Sequence, residues 1–180
     1  MYTIVNSLNV LGLTTITTSD TDDRIPADVL DTLADYNSTD VSDLVAFGFV
    51  AKVNGLDMVY IGTMTDFNNM ITVQTNSDGF SAIRFCPTSK QKKELINKGL
   101  VKPLMTLAEF TAYQHMSYYV NKKGISVMCN KGETFERLLT ETYTNETWTK
   151  DNICYKSAGD IEIDGININI KFEKGWLCKV

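Results

Sequence analysis

The chain reads as an α+β protein, with an N-terminal small antiparallel sheet and helices, then a C-terminal helix plus a mixed β-sheet. Three observations predict this. The first half holds paired runs of alternating apolar residues around Asn-Gly and Asp-Gly turns. The middle holds segments with helix-capping signals, and the last fifty residues hold an amphipathic helix followed by strands that alternate with period two. At 180 residues, 43% hydrophobic and 22% charged, the composition is that of a globular protein and excludes disordered and fibrous classes. No apolar run approaches membrane-spanning length, and Met1 to Asn6 lacks the basic and apolar regions of a secretory signal. The expectation is a cytoplasmic protein with no membrane partner.

Residues 2–18 alternate β-branched and polar side chains with a break at Gly12, which predicts one or two short strands. Residues 25–36 read as a helix with Pro26 in its first turn, where the missing N–H is harmless. Asn54-Gly55 joins Val45–Val53 to Leu56–Thr63 as a hairpin, because both residues accept the positive φ that a tight β-turn needs. A second hairpin pairs Ile71–Thr75 with Phe80–Cys86 around Asn76-Ser77-Asp78-Gly79. Thr88 or Ser89 caps a helix running to Asn97-Lys98, with Gly99 as its stop. Thr106-x-x-Glu109 is a capping box for an aromatic-rich helix expected to end near Asn121. Tyr113, Tyr118 and Tyr119 on it suit either base stacking or the core, and helical spacing favours the core.

Lys131–Tyr143 spaces Phe135, Leu138, Leu139 and Thr142 as one apolar side, which puts Glu136 at the edge of the buried face. A short strand follows around Ile153-Cys154-Tyr155, and then Gly159–Phe172 folds back at Asp164-Gly165. Its alternation sets Ile161, Ile163, Ile166, Ile168, Ile170 and Phe172 on one face and Asp160, Glu162, Asn167, Asn169 and Lys171 on the other.

Charge divides the chain more sharply than its net value of −5. Residues 1–86 hold 11 Asp and Glu against 3 Lys and Arg, residues 87–130 hold 2 against 7, and residues 131–180 hold 9 against 7. The expected organisation is an acidic α+β region (1–86), a basic helical segment (87–123) and a C-terminal αβββ core (124–180). Lys90, Lys92, Lys93 and Lys98 are the candidate nucleic-acid-binding lysines, since clustered ammonium groups neutralise phosphates, although a solvated helix face has the same pattern. Cys86, Cys129, Cys154 and Cys178 are scattered without a Cys-x-x-Cys pair, which suits reduced, buried thiols. His115 is the only histidine, so multi-histidine metal sites are excluded and chemistry rests on carboxylates and lysines.

Over residues 124–180 the helix, the Asp-bearing strand and the Asn169-x-Lys171 strand resemble the PD-(D/E)XK restriction-endonuclease-like nuclease superfamily. That resemblance implies a restriction-endonuclease-like core for this part of the chain. It implies Mg²⁺ or Mn²⁺ held by Asp160, Asn169 and the helix residue Glu136, with Lys171 beside the attacking water and Glu162 as a secondary ligand. Gly159 stands where the family's less constant proline would be. Asn169 replaces the second acidic ligand, and its amide oxygen can ligate Mg²⁺ but brings no negative charge.

The activity implied is a Mg²⁺-dependent, DNA-directed phosphodiesterase or a degenerate relative, and the family analogy extends to a homodimer. The alternative is a non-catalytic phage or mobile-element protein acting in the host cytoplasm. It would bind nucleic acid, or inhibit a host nucleic-acid enzyme by imitating phosphates with its acidic N-terminal half.

Overall fold

The computed structural model runs β1 (Thr15–Ile16), β2 (Leu44–Val53), β3 (Leu56–Met64), β4 (Ile71–Thr75), β5 (Ser81–Phe85), α1 (Ser89–Asn97), β6 (Val101–Thr106), α2 (Leu107–His115), β7 (Tyr118–Val120), β8 (Ser126–Met128), α3 (Lys131–Tyr143), β9 (Ile161–Ile163), β10 (Ile166–Phe172) and β11 (Trp176–Lys179). The structure describes residues 13, 15–16, 44–65, 70–75, 77, 81–149, 161–163, 165–174 and 176–179. The helix expected at 25–36 and the strand expected around 153–155 lie outside these residues, and of the strands expected over 2–18 only β1 falls within them. The α+β class holds. None of the described helices is long and apolar enough to cross a membrane.

A six-stranded sheet runs in the order β1-β3-β2-β10-β9, with β6 also paired to β3. β2 and β3 pair antiparallel up to Val53 opposite Leu56, across Asn54 and Gly55 with φ of 52° and 79°. Two positive φ values give the turn whose twist matches the strands it joins. The sheet is mixed because β10 lies parallel to β2, with Asn169 opposite Val45 and Lys171 opposite Phe47, and antiparallel to β9. Strands from all three charge-defined segments therefore share one sheet. A second sheet runs β11-β5-β4, and β7 with β8 forms a separate two-stranded ribbon.

The pleat of the large sheet gives it two different apolar faces. Leu44, Ala46, Val59, Ile61, Ile168, Ile170 and Phe172 pack with Phe110 of α2 and with Phe135 and Leu139 of α3. Val45, Phe47, Phe49, Tyr60 and Met64 pack on the other side with Ile71 of β4, Phe85 of β5 and Leu95 of α1. Close approach on the first face depends on Gly48, where an added Cβ would stand 2.6 Å from Phe135 Cζ and 2.9 Å from Phe172 Cδ2. Phe135 meets Phe172 at 5.1 Å between ring centroids, so two rings fill the space the glycine leaves, and Phe110 stacks on Phe172 at 5.4 Å.

The helices begin where their caps predict. Thr88, Thr106 and Asn130 each form a capping box, with Gln91, Glu109 and Glu133 respectively. One expectation is corrected. The aromatic-rich helix ends at His115 and does not continue toward Asn121, because Met116 N–H and Ser117 N–H close a tight turn on Tyr113 O and Gln114 O. Tyr118–Val120 then pairs with Ser126–Met128, where aromatic and β-branched side chains are favoured.

Candidate functional site

The β9–β10 hairpin carries the densest set of polar groups singled out by sequence. Its register sets Ile163 opposite Ile166, Glu162 opposite Asn167 and Ile161 opposite Ile168, closed through Gly165 at φ 78°. Directly opposed residues share a face and alternate residues along one strand share it too. Glu162, Asn167, Asn169 and Lys171 therefore lie on one face, opposite to Ile161, Ile168, Ile170 and Phe172.

Burial grades steeply along that face. Glu162 is exposed, Asn167 and Lys171 are half-buried, and Asn169 is only 2% exposed. The cause is the parallel neighbour, since Asn169 and Lys171 pair with β2 residues whose side chains belong to the apolar second core. Burying an amide or ammonium group costs free energy unless it is paired, and neither residue is without an interaction partner. Asp160 and Gly159, immediately before β9, lie outside the described residues.

Glu136 occupies a different place. It is 9% exposed on α3, between Phe135 and the buried turn in which Thr140 Oγ1 donates to Glu136 O at 2.8 Å. Its inward lean matches the spacing. However, Phe135 and Leu139 seat α3 on the Phe172 face, and the pleat directs Asn169 and Lys171 to the other. The structure thus groups Glu162, Asn167, Asn169 and Lys171 and sets the helix of Glu136 on the opposite side of the sheet.

The basic residues of α1 separate in the same way. Lys90, Lys93 and Lys98 are exposed. Lys92 is turned inward, where its Nζ donates to Val50 O at 2.8 Å, pairs with the Glu173 carboxylate and lies 5.6 Å over the Phe49 ring. Glu173 also accepts from Val50 N–H at 3.0 Å, so the pair ties the end of β10 and α1 to β2. This pair carried no signal in sequence because its members are 81 residues apart. The exposed Lys90 and Lys93 both fall in the first half of a helix without an acidic first turn. Ammonium groups at that end oppose the helix dipole and concentrate positive potential there.

His115 is exposed, at the rim of an open groove of about 840 Å³ between the β2–β3 turn and α2. Tyr113 Oη donates to Glu141 Oε2 at 2.9 Å, and Arg137 Nε donates to Glu141 Oε1 at 3.0 Å. Burial, and then the adjacent Glu141 carboxylate, push the Tyr113 hydroxyl well above its usual range. Among the described residues no three His, Cys, Asp or Glu side chains gather closely enough to hold a metal ion. The donors on the hairpin's polar face are oxygens of amides and a carboxylate, the ligand type that Mg²⁺ and Mn²⁺ take. Comparison with known proteins returns no matching family model, curated protein or solved structure.

Proposed function

We propose that the chain is a Mg²⁺-dependent, DNA-directed phosphodiesterase of PD-(D/E)XK type, or a degenerate relative that keeps the site for binding. The observation that carries this reading is Asn169-x-Lys171, held on one face of an interior strand beside a partner strand that Asp160 precedes. By the alternation of the sequence Asp160 belongs to the same polar set as Glu162, Asn167, Asn169 and Lys171. Asp160 and the Asn169 amide oxygen would then hold the ion, with Glu162 near enough to serve as a further oxygen. Glu136, on a helix packed against the opposite face, is left out of this set. The packing of α3 on a mixed sheet supports a restriction-endonuclease-like core, and Mn²⁺ would serve where Mg²⁺ does.

A bound divalent ion would supply charge neutralisation at the phosphate and a water of lowered pKa. Lys171, half-buried and cationic, would orient that water and offset the charge developing on the phosphoryl oxygens. The exposed Lys90, Lys93 and Lys98 would hold flanking phosphates. The neutral amide at Asn169 favours one second reading, a nucleic-acid-binding relative without turnover. The aspartate-rich stretch from Asp20 to Asp43 that motivates an inhibitor of a host enzyme lies outside the described residues.

The test is cleavage of DNA by purified protein with Mg²⁺ or Mn²⁺. Metal-dependent cleavage that Asp160→Ala and Lys171→Ala both abolish is the expected result. No cleavage by the parent, with nucleic acid still bound, selects the second reading. Cleavage by both variants at the parent's rate ends the nuclease assignment of this hairpin.

A further inference from the structure

Among the described residues, the ribbon of β7 and β8 is where exposed apolar side chains gather. Among the described residues six large hydrophobic side chains are exposed, and five of them, Met116, Tyr118, Val120, Ile125 and Met128, fall within residues 116–128. Pairing explains the arrangement. Tyr118 is opposite Met128 and Val120 is opposite Ser126, so these four share the outward face. Tyr119 and Val127 point the other way, and the Tyr119 ring meets Trp148 edge-on at 6.3 Å. Val120 at 68% and Met116 at 74% exposed are far beyond what folding alone asks of such residues.

The ribbon is held firmly at both ends. At its base Cys129 N–H donates to Ser117 O at 2.7 Å and Gln114 Nε2 donates to Cys129 O at 2.9 Å, which fixes the ribbon to α2. At its tip Asn121 Oδ1 accepts from Lys123 N–H and Ile125 N–H at 2.9 and 3.0 Å, and Gly124 turns at φ 75°. The tip therefore presents Lys122 and Lys123, both exposed, on a preformed turn. No carboxylate occurs between Glu109 and Glu133, whereas Lys122, Lys123 and Lys131 do, in a chain of net charge −5.

We infer that the β7–β8 ribbon is a nucleic-acid-binding arm, with Lys122 and Lys123 on phosphates and Tyr118, Val120 and Met128 against bases. This rests on the proposed function only for the nature of the ligand and assigns a separate element to hold it. A two-stranded ribbon fits a DNA major groove, tyrosine rings stack on exposed bases, and aliphatic side chains wedge between base steps. The order of residues argues against a lipid surface. A hairpin that enters a bilayer leads with bulky apolar groups, whereas here lysines form the extremity and the apolar face lies behind them.

The test uses the full chain with EDTA, so that no metal-dependent step contributes, and reads anisotropy of a labelled DNA duplex and of its separated strands. Lys122→Ala with Lys123→Ala should weaken binding about tenfold and reduce the slope of log affinity against log salt by roughly two on duplex. Tyr118→Ala should weaken binding severalfold while Tyr118→Phe keeps it, and Lys52→Ala on the β2–β3 hairpin should change nothing. Unchanged thermal unfolding of each variant excludes misfolding. Parent-like binding by the ribbon variants overturns the inference. So does a parent that ignores DNA but binds anionic vesicles, an acidic protein or its own copies through Tyr118 and Val120. Failure of the nuclease reading appears separately, as binding without cleavage when Mn²⁺ is added.

Discussion

The two faces of the six-stranded sheet are built to different rules. On one, α2 and α3 close over Leu44, Ala46, Ile168 and Phe172, and the contact is a fit of aromatic rings over Gly48. On the other, aromatic packing around Phe47, Phe49 and Phe85 is interrupted by Asn169, Lys171 and the Lys92–Glu173 pair. Carbon suits a face that only has to fold, since each fully buried large apolar side chain contributes about 1.5–3 kcal/mol. Polar groups set into an interior strand add no such gain. The amide and ammonium groups of β10 and the Lys92–Glu173 pair gather on the second face, the proposed working face, whereas the supporting face carries the buried hydroxyl of Thr63 opposite Ala46.

This contrast is sharpest where packing is tightest. Phe135→Ala removes a fully buried ring from the supporting face and is expected to cost about 3–5 kcal/mol in urea unfolding. Gly48→Ala forces a methyl to 2.6 Å from the same ring and should cost about 1–3 kcal/mol. Because the two sites touch, the double variant should lose less than the sum. On the working face Lys92→Met keeps the aliphatic stem but strands Glu173, whose side chain is 14% exposed, and should cost about 1–2 kcal/mol. Added Glu173→Gln should return part of that loss.

The smallest effect concerns pH. Tyr113 holds its proton more tightly when folded than when unfolded, so its contribution is complete below about 10 and declines as pH rises beyond that value. Stability measured across that range should fall less steeply in Tyr113→Phe than in the parent.

What the sequence made legible was local. Asn54-Gly55 needs nothing beyond its neighbours to turn, and the caps at Thr88 and Thr106 bond backbone three residues away, whereas the box at Asn130 came from the structure. The pairing of β10 with β2 was not legible, because alternation says which residues share a face and not which strand lies alongside. Alternation puts Asn169 on the polar face of the Asp-Gly hairpin, and its burial there follows from the distant partner strand. Spacing also gave the inward lean of Glu136 but not the side of the sheet that its helix would cover. Residues 118–120 were misread because aromatic spacing suits a helix as well as a ribbon.

The most direct test of the proposed metal site is to add a negative charge at residue 169. Asn169→Asp places a carboxylate where the native side chain is 2% exposed, so without metal its melting temperature should fall below that of the parent. If this face holds a divalent ion, Mn²⁺ should then raise the melting temperature of Asn169→Asp more than that of the parent, and Asp160→Ala should remove the rise. Equal response of parent, Asn169→Asp and Asn169→Asp with Asp160→Ala to Mn²⁺ would contradict a metal site on this hairpin.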